Sequence, residues 1–171
     1  NKINILVVLR KESIMKDSIH KYFNIGTILW MSYPPTKYDY KETLNKVLID
    51  DYFTAIEITQ IKDDELRAET KALLDQSHIK VCYGAQPRLL STGLNPNDID
   101  EEGRKKAKAT LIEAVDEAEY LGAKGIAFLA GKWEDETKDK AYDQLLKTTI
   151  NVSSYAAKKG MSVNLEVFDY D

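Results

Sequence analysis

One cysteine and two histidines among 171 residues remove several chemistries at once. The lone thiol of Cys82 cannot close an intrachain disulfide, and a chain without a disulfide framework suits a reducing, cytoplasmic setting. His20 lies among lysine and aspartate and reads as a surface residue, while His78 follows a helical stretch whose C-terminal dipole a cation would complement. No apolar run approaches the roughly 20 residues that cross a bilayer. The longest, Ile3 to Leu9, is broken by Asn4, ends at Arg10 and Lys11, and precedes no small-residue cleavage site, so neither a membrane association nor a secretory leader is expected. Basic residues are not in excess: 24 Lys and Arg against 28 Asp and Glu give a net charge of −4 and a pI near 5.3. That balance argues against a broad nucleic-acid-binding surface, and no nucleic-acid partner is expected. No GxGxxG or Walker sequence marks a nucleotide site.

What remains is a globular composition, 43% hydrophobic and 30% charged, long enough to bury one core. Residues 1–24 fit neither helical nor strand period cleanly and read as an N-terminal arm or accessory segment. From Gly26 the pattern becomes regular. Thr27 to Met31 is a short apolar run closed by Tyr33-Pro34-Pro35, the mark of a buried strand entering a loop. Leu44, Val47 and Leu48 recur at helical spacing. Phe53 to Thr59 is a second strand, with Ile56 and Ile58 on one face and Ala55 and Glu57 on the other. Asp63 or Asp64 caps the next helix, with Leu66, Leu73 and Leu74 on its apolar side. Ile79 to Tyr83 is a third strand, followed by a long loop from Ala85 to Asn97 that holds Gln86, Arg88 and Asn95. Asp98 with Glu101 resembles a capping box, opening a helix striped by Ala107, Leu111, Ala114, Val115, Ala118 and Leu121 and stopped by Gly122. Lys124 to Leu129 is a fourth strand. A helix whose inner face carries Ala141, Leu145, Val152 and Ala156 follows, and Gly160 stops it.

The last strand begins at Met161. Val163, Leu165 and Val167 alternate there with Ser162, Asn164 and Glu166, so one face is apolar and the other carries a carboxylate that needs compensation. Alternation of strands and helices predicts an α/β fold with a parallel sheet and right-handed crossovers. Polar and sterically special residues cluster after strand ends, at Tyr33 to Pro35, Glu57 to Thr59, Gln86 to Arg88, Gly131-Lys132 and Glu166, which is how a TIM barrel distributes its active site. Five strands and four helices are fewer than the eight units of a complete barrel. Residues 25–171 are therefore expected to be the N-terminal part of a (β/α)8 barrel, completed by further polypeptide or by another chain. Open sheet edges would favour association, so a homo-oligomer is an expectation.

Several segments in this order resemble a known family: Met31 to Pro34, Asp50 to Thr59, Tyr83 to Leu90, Leu94 to Asn97, Asp116 to Ala123 and Leu165 to Asp171. Together they look like the N-terminal two thirds of the sugar phosphate isomerase/epimerase family within the xylose-isomerase-like TIM barrels. The resemblance implies a metal-dependent isomerase or epimerase acting on a sugar or sugar phosphate by enediolate-type proton transfer. It implies a divalent metal, Mn or Mg ahead of Zn, with Glu166 as ligand and catalytic carboxylate and Glu57 as a second acidic group at the pocket. Trp30 and Tyr83 are candidate pocket walls, Gln86 a polar contact, and Arg88 and Lys132 candidate receivers of a phosphate, although core packing explains the aromatics as well. An endonuclease IV-like phosphodiesterase is an alternative from the same superfamily, but its zinc cluster would need more histidines than this chain holds. A non-catalytic barrel fragment acting as a binding module is a third reading.

Overall fold

The computed structural model describes residues 18–167. The arm expected over residues 1–24 lies mostly outside these residues; within them it contributes a 3₁₀ turn, Ile19–Lys21. Five strands follow, β1 (Gly26–Ile28), β2 (Ala55–Ile58), β3 (Lys80–Gly84), β4 (Gly125–Leu129) and β5 (Ser162–Glu166). They form one sheet in sequence order, and every neighbouring pair is parallel. Six α-helices intervene: α1 (Leu29–Ser32), α2 (Tyr40–Leu48), α3 (Asp64–Gln76), α4 (Gln86–Thr92), α5 (Glu101–Tyr120) and α6 (Lys138–Lys158). Sequential parallel strands linked by helices are the partial TIM barrel that the alternation predicts.

Strand period sorts the side chains into two classes. Ile56, Ile58, Val81, Tyr83, Ile126 and Phe128 point to the helix-covered face and are almost wholly buried. The helices meet them with Leu44, Val47, Leu74, Leu111, Ala114, Val115, Val152 and Ala156. On the other face Glu57 pairs in register with Cys82, Gly84 with Ala127, Ala127 with Asn164 and Leu129 with Glu166. This face is more open: Cys82, Asn164 and Glu166 are exposed, and Glu57 and Ala127 half-buried. Burying the first set supplies the driving force for folding, while the second set stays on the more open face.

Helix starts follow capping chemistry. Asp39 accepts from the Glu42 N–H at 2.8 Å and Asp63 from the Leu66 N–H at 2.7 Å, satisfying donors that the first turn leaves free. At α5 the cap is Asp100, which accepts from Gly103 N–H at 2.9 Å, rather than Asp98. Asp98 instead accepts from the Asp100 N–H at 2.9 Å and shapes the turn before the helix. The stops at Gly122 and Gly160 are as expected, each at positive φ.

Two segments differ from their sequence-based reading. Leu29 to Met31 continue not as strand but as the single turn α1, closed by Tyr33 N–H donating to Leu29 O at 2.8 Å. A five-residue apolar run carries too little periodicity to separate the two states. Likewise the stretch read as a long loop contains α4, with Pro87 in its first turn, where its missing N–H costs nothing.

Phe128 is fully buried among the helix-facing residues. Phe128→Ala should therefore lower unfolding stability by about 3–5 kcal/mol, which denaturant titration of both forms measures.

Candidate functional site

Three of the residues singled out from the sequence converge on the open face at the strand C-termini. Glu166 is the last residue of β5 and Glu57 the third of β2. Gln86, at the start of α4, bridges toward them: its Nε2 donates to Glu166 Oε2 at 2.8 Å. Gln86 is 8% exposed, yet its Oε1 has no partner, and neither does the buried Glu57 Oε1. Both oxygens point at Gly84. A methyl group on that residue would fall 2.6 Å from Glu57 Oε1 and 2.7 Å from Gln86 Oε1. Only a residue without a side chain lets them approach this part of the sheet. The Gly84 backbone is held by Thr59, whose hydroxyl donates to Gly84 O at 2.7 Å and ties the end of β2 to the end of β3.

The electrostatics follow from this crowding. Burial pushes the Glu57 carboxyl above the ordinary carboxylate range, and the negative charge of Glu166 pushes it further the same way. Burial likewise raises the Cys82 thiol, with Glu57 adding to the effect. The site thus has two carboxylates and an amide on one face, one carboxylate hydrogen-bonded and exposed, the other half-buried and biased toward its protonated form. Two carboxyls in unequal surroundings on one face are a pairing that can give and take protons.

Tyr83 and Arg88 belong elsewhere. Tyr83 lies on the helix-covered face of β3 and is fully buried; it is not a wall of the open face. Arg88, read from sequence as a loop residue able to receive a phosphate, sits in α4 at 8% exposure and forms an ion pair with Glu117 of α5. Its Nε donates to the Tyr83 hydroxyl at 2.9 Å, and that hydroxyl donates to Glu117 Oε2 at 2.6 Å. The other oxygen, Glu117 Oε1, accepts from the Ile61 N–H at 3.0 Å. A buried charge pair is stable only when its remaining hydrogen-bonding capacity is filled, and here a tyrosine and a backbone amide fill it. Burial, followed by the bond to Glu117, pushes the Tyr83 phenol well above its usual range. By holding α4 two residues after Gln86, this cluster also fixes where the Gln86 amide begins.

Trp30 and Lys132 are at the strand ends without joining the three. Trp30, on α1, lines a cavity of about 220 Å³ with Tyr33, Tyr40, Thr59 and Lys62. Lys132 is exposed, and its backbone is clasped by Asn95, which accepts from the Lys132 N–H at 3.2 Å and donates to its carbonyl at 3.0 Å. Glu117 and Gly84 were not among the residues singled out. Glu117 had a signal: it falls three and four residues from Ala114 and Leu121 on an apolar stripe, where an acid requires a buried partner. Among the described residues, no group of three or more His, Cys, Asp or Glu side chains is placed to hold a metal ion, and no helix is long and apolar enough to cross a membrane.

Two predictions follow from these contacts. Arg88→Met alone should cost about 3–5 kcal/mol by leaving Glu117 buried and unpaired, and adding Glu117→Leu should recover much of that loss, read from denaturation midpoints of the single and double variants. Because the folded-state pKa of Glu57 is raised, its favourable contribution is present below its unfolded value of 4.5 and is lost as pH rises through the folded value. Glu57→Gln should therefore match the parent near pH 4 and exceed its melting temperature by a margin that grows toward neutral pH.

Comparison with known proteins agrees with this architecture. Similar solved structures include a D-tagatose 3-epimerase-like protein, with a TM-score of 0.71 and 16% identity over 87% of this chain and 54% of that one. A D-psicose 3-epimerase from Clostridium cellulolyticum H10, solved with D-tagatose, gives 0.69 and 23% over 86% and 53%. An L-ribulose 3-epimerase gives 0.64 and 16% over 85% and 50%. The chain thus spans about half the length of these structures. No curated protein sequence matches it. Residues 50–171 match the family described as Xylose isomerase-like TIM barrel, and with most of its length inside that match the chain belongs to this family.

Proposed function

We propose that the protein carrying this chain epimerises or isomerises a ketose by moving a proton at the carbon beside the carbonyl. The observation that carries this reading is the pair Glu57 and Glu166 on the open face, one hydrogen-bonded through Gln86 and the other raised by burial and by its neighbour. Fold neighbours named as a D-psicose 3-epimerase, an L-ribulose 3-epimerase and a D-tagatose 3-epimerase-like protein support a ketose as the substrate class.

Removing a proton next to a carbonyl passes through an enediolate, whose negative charge must be stabilised. Glu166 would take or return the proton on the substrate face it meets. The Gln86 amide orients the carboxylate through its Nε2, so one Glu166 oxygen is aligned before substrate arrives. Glu57, biased toward its protonated form, can donate a hydrogen bond or a proton where the substrate oxygens lie. Arg88 is committed to Glu117, so the exposed Lys132 is the remaining candidate for an acidic substituent.

A divalent metal fits this site in part. Glu166 offers a carboxylate oxygen, and Glu57 Oε1 and Gln86 Oε1 are buried oxygens without donors, a hard-oxygen set suited to Mn or Mg. Among the described residues these do not amount to a full coordination shell. When bound, such an ion would neutralise charge developing on the sugar oxygens.

The test is Glu166→Gln in the intact protein. This substitution preserves shape and should lower ketose epimerisation by about 10³-fold with the circular dichroism spectrum and melting curve retained. Turnover at the parental rate would remove Glu166 from the reaction.

A further inference from the structure

We propose that the outer face of α6 is an interface between two copies of this chain, with the two α6 helices packed antiparallel across a two-fold axis. The surface lies on the opposite side of α6 from the sheet, so the inference is independent of the reaction assigned to Glu57 and Glu166.

The helix carries apolar side chains on two sides. It buries Ala141, Gln144, Thr148, Val152 and Ala156, as an amphipathic helix should. Tyr142, Leu146 and Ile150 stand on another side and are 66%, 46% and 55% exposed. Their spacing of four residues places them in one ridge along the helix, which Ser154 and Lys158 continue. Beside the ridge runs a groove between α5 and α6, a cavity of about 390 Å³ lined by Lys108 and Ile112 from α5 and by Ile150, Ser154 and Lys158 from α6. A ridge next to a groove is the shape into which the same ridge of a second copy packs, each filling the other's groove. The three apolar side chains of the ridge offer about half of the ~800 Å² per partner that a standard interface buries, and the polar residues around them supply a rim.

Charge selects a second copy as the occupant. Asp139 and Asp143 flank the N-terminal end of the ridge, whereas Lys158 ends it and Lys108 lies across the groove. None of these four makes an ion pair among the described residues. An antiparallel copy brings its Asp139 to Lys158 and its Asp143 to the groove that holds Lys108, and two-fold symmetry repeats both contacts at the other end. The midpoint between Asp139 and Lys158 falls between Leu146 and Ile150, so the axis passes through the apolar part of the ridge. Opposed helix dipoles favour the same orientation. A parallel pair would set acid against acid, and a partner of one sign, such as an anionic lipid surface, would be repelled at one end. The ridge is also separate from the open edges of β1 and β5, so this association differs from the edge pairing that an incomplete sheet invites.

Sedimentation velocity of the intact protein over a concentration series tests this, and the parent should dimerise. One variant combines Asp139→Lys with Asp143→Lys and so places cations at both ends of the ridge; a second combines Lys108→Glu with Lys158→Glu and places acids at both. Each should dimerise at least about tenfold more weakly than the parent. Their circular dichroism spectra should match the parent's, because Asp139, Asp143 and Lys158 are exposed and Lys108 is half-buried. Mixed in equal amounts, the two variants should form a heterodimer with affinity near the parent's, since each supplies the charge that the other has lost. Leu146→Glu, which sets a charge beside the axis, should leave only monomer. Dimerisation unchanged in both charge variants would assign it to another surface, the sheet edges included, and overturn the proposal. A mixture no stronger than its components, or a parent that stays monomeric throughout, would overturn it as well.

Discussion

The period-two alternation of a parallel strand governs everything in this molecule. Each strand has one set of side chains that helices cover and a second set they cannot reach. Once Ile56, Ile58, Val81, Tyr83, Ile126 and Phe128 are directed into the helix layer, Glu57, Cys82, Asn164 and Glu166 must lie on the other side. A one-residue slip would exchange the two sets, and in β2 or β5 it would turn a carboxylate toward the helices. The apolar packing that stabilises the fold is thus the same constraint that gathers acids at the strand ends.

Collecting acids in one place is unfavourable, and the structure shows how that cost is distributed. Glu166 remains exposed, with one oxygen hydrogen-bonded by Gln86. Glu57 lies deeper, and burial raises its carboxyl above the ordinary carboxylate range. Glu117, deeper still, is compensated completely by Arg88, Tyr83 and the Ile61 amide. The fully satisfied acid is structural and the incompletely satisfied ones face the open side, a division that separates scaffold from candidate site on physical grounds. The two are connected through α4, whose first turn carries both Gln86 and Arg88.

Much of this was legible in the residues themselves. Ile56 and Ile58 opposite Glu57, and Val163 and Leu165 opposite Glu166, announced both the strands and the face on which the acids lie. Asp39 and Asp63 begin α2 and α3 through local bonds to backbone three residues away, and Gly122 and Gly160 follow the ends of α5 and α6 at positive φ, so these boundaries depend on little beyond their own sequence. Gln86 to Thr92 was harder to read because its buried members, Gln86, Arg88 and Leu89, include two polar residues that tertiary partners satisfy. Arg88 looks like a solvated cation until Glu117, 29 positions away, is placed beside it. The close packing against Gly84 was illegible for a similar reason. Nothing adjacent to that glycine calls for a small residue; the demand comes from Glu57 one strand over and from Gln86 folding back.

The central physical claim is that Glu57 and Glu166 share one space and feel each other's charge. Carbon-13 NMR titration of their side-chain carboxyls in metal-free protein measures this directly, comparing the parent with Glu166→Gln. The account predicts that Glu57 titrates above the ordinary carboxylate range and that its midpoint falls when the Glu166 charge is removed, with a residual elevation owed to burial. A Glu57 midpoint at the ordinary value, unmoved by that substitution, would contradict it.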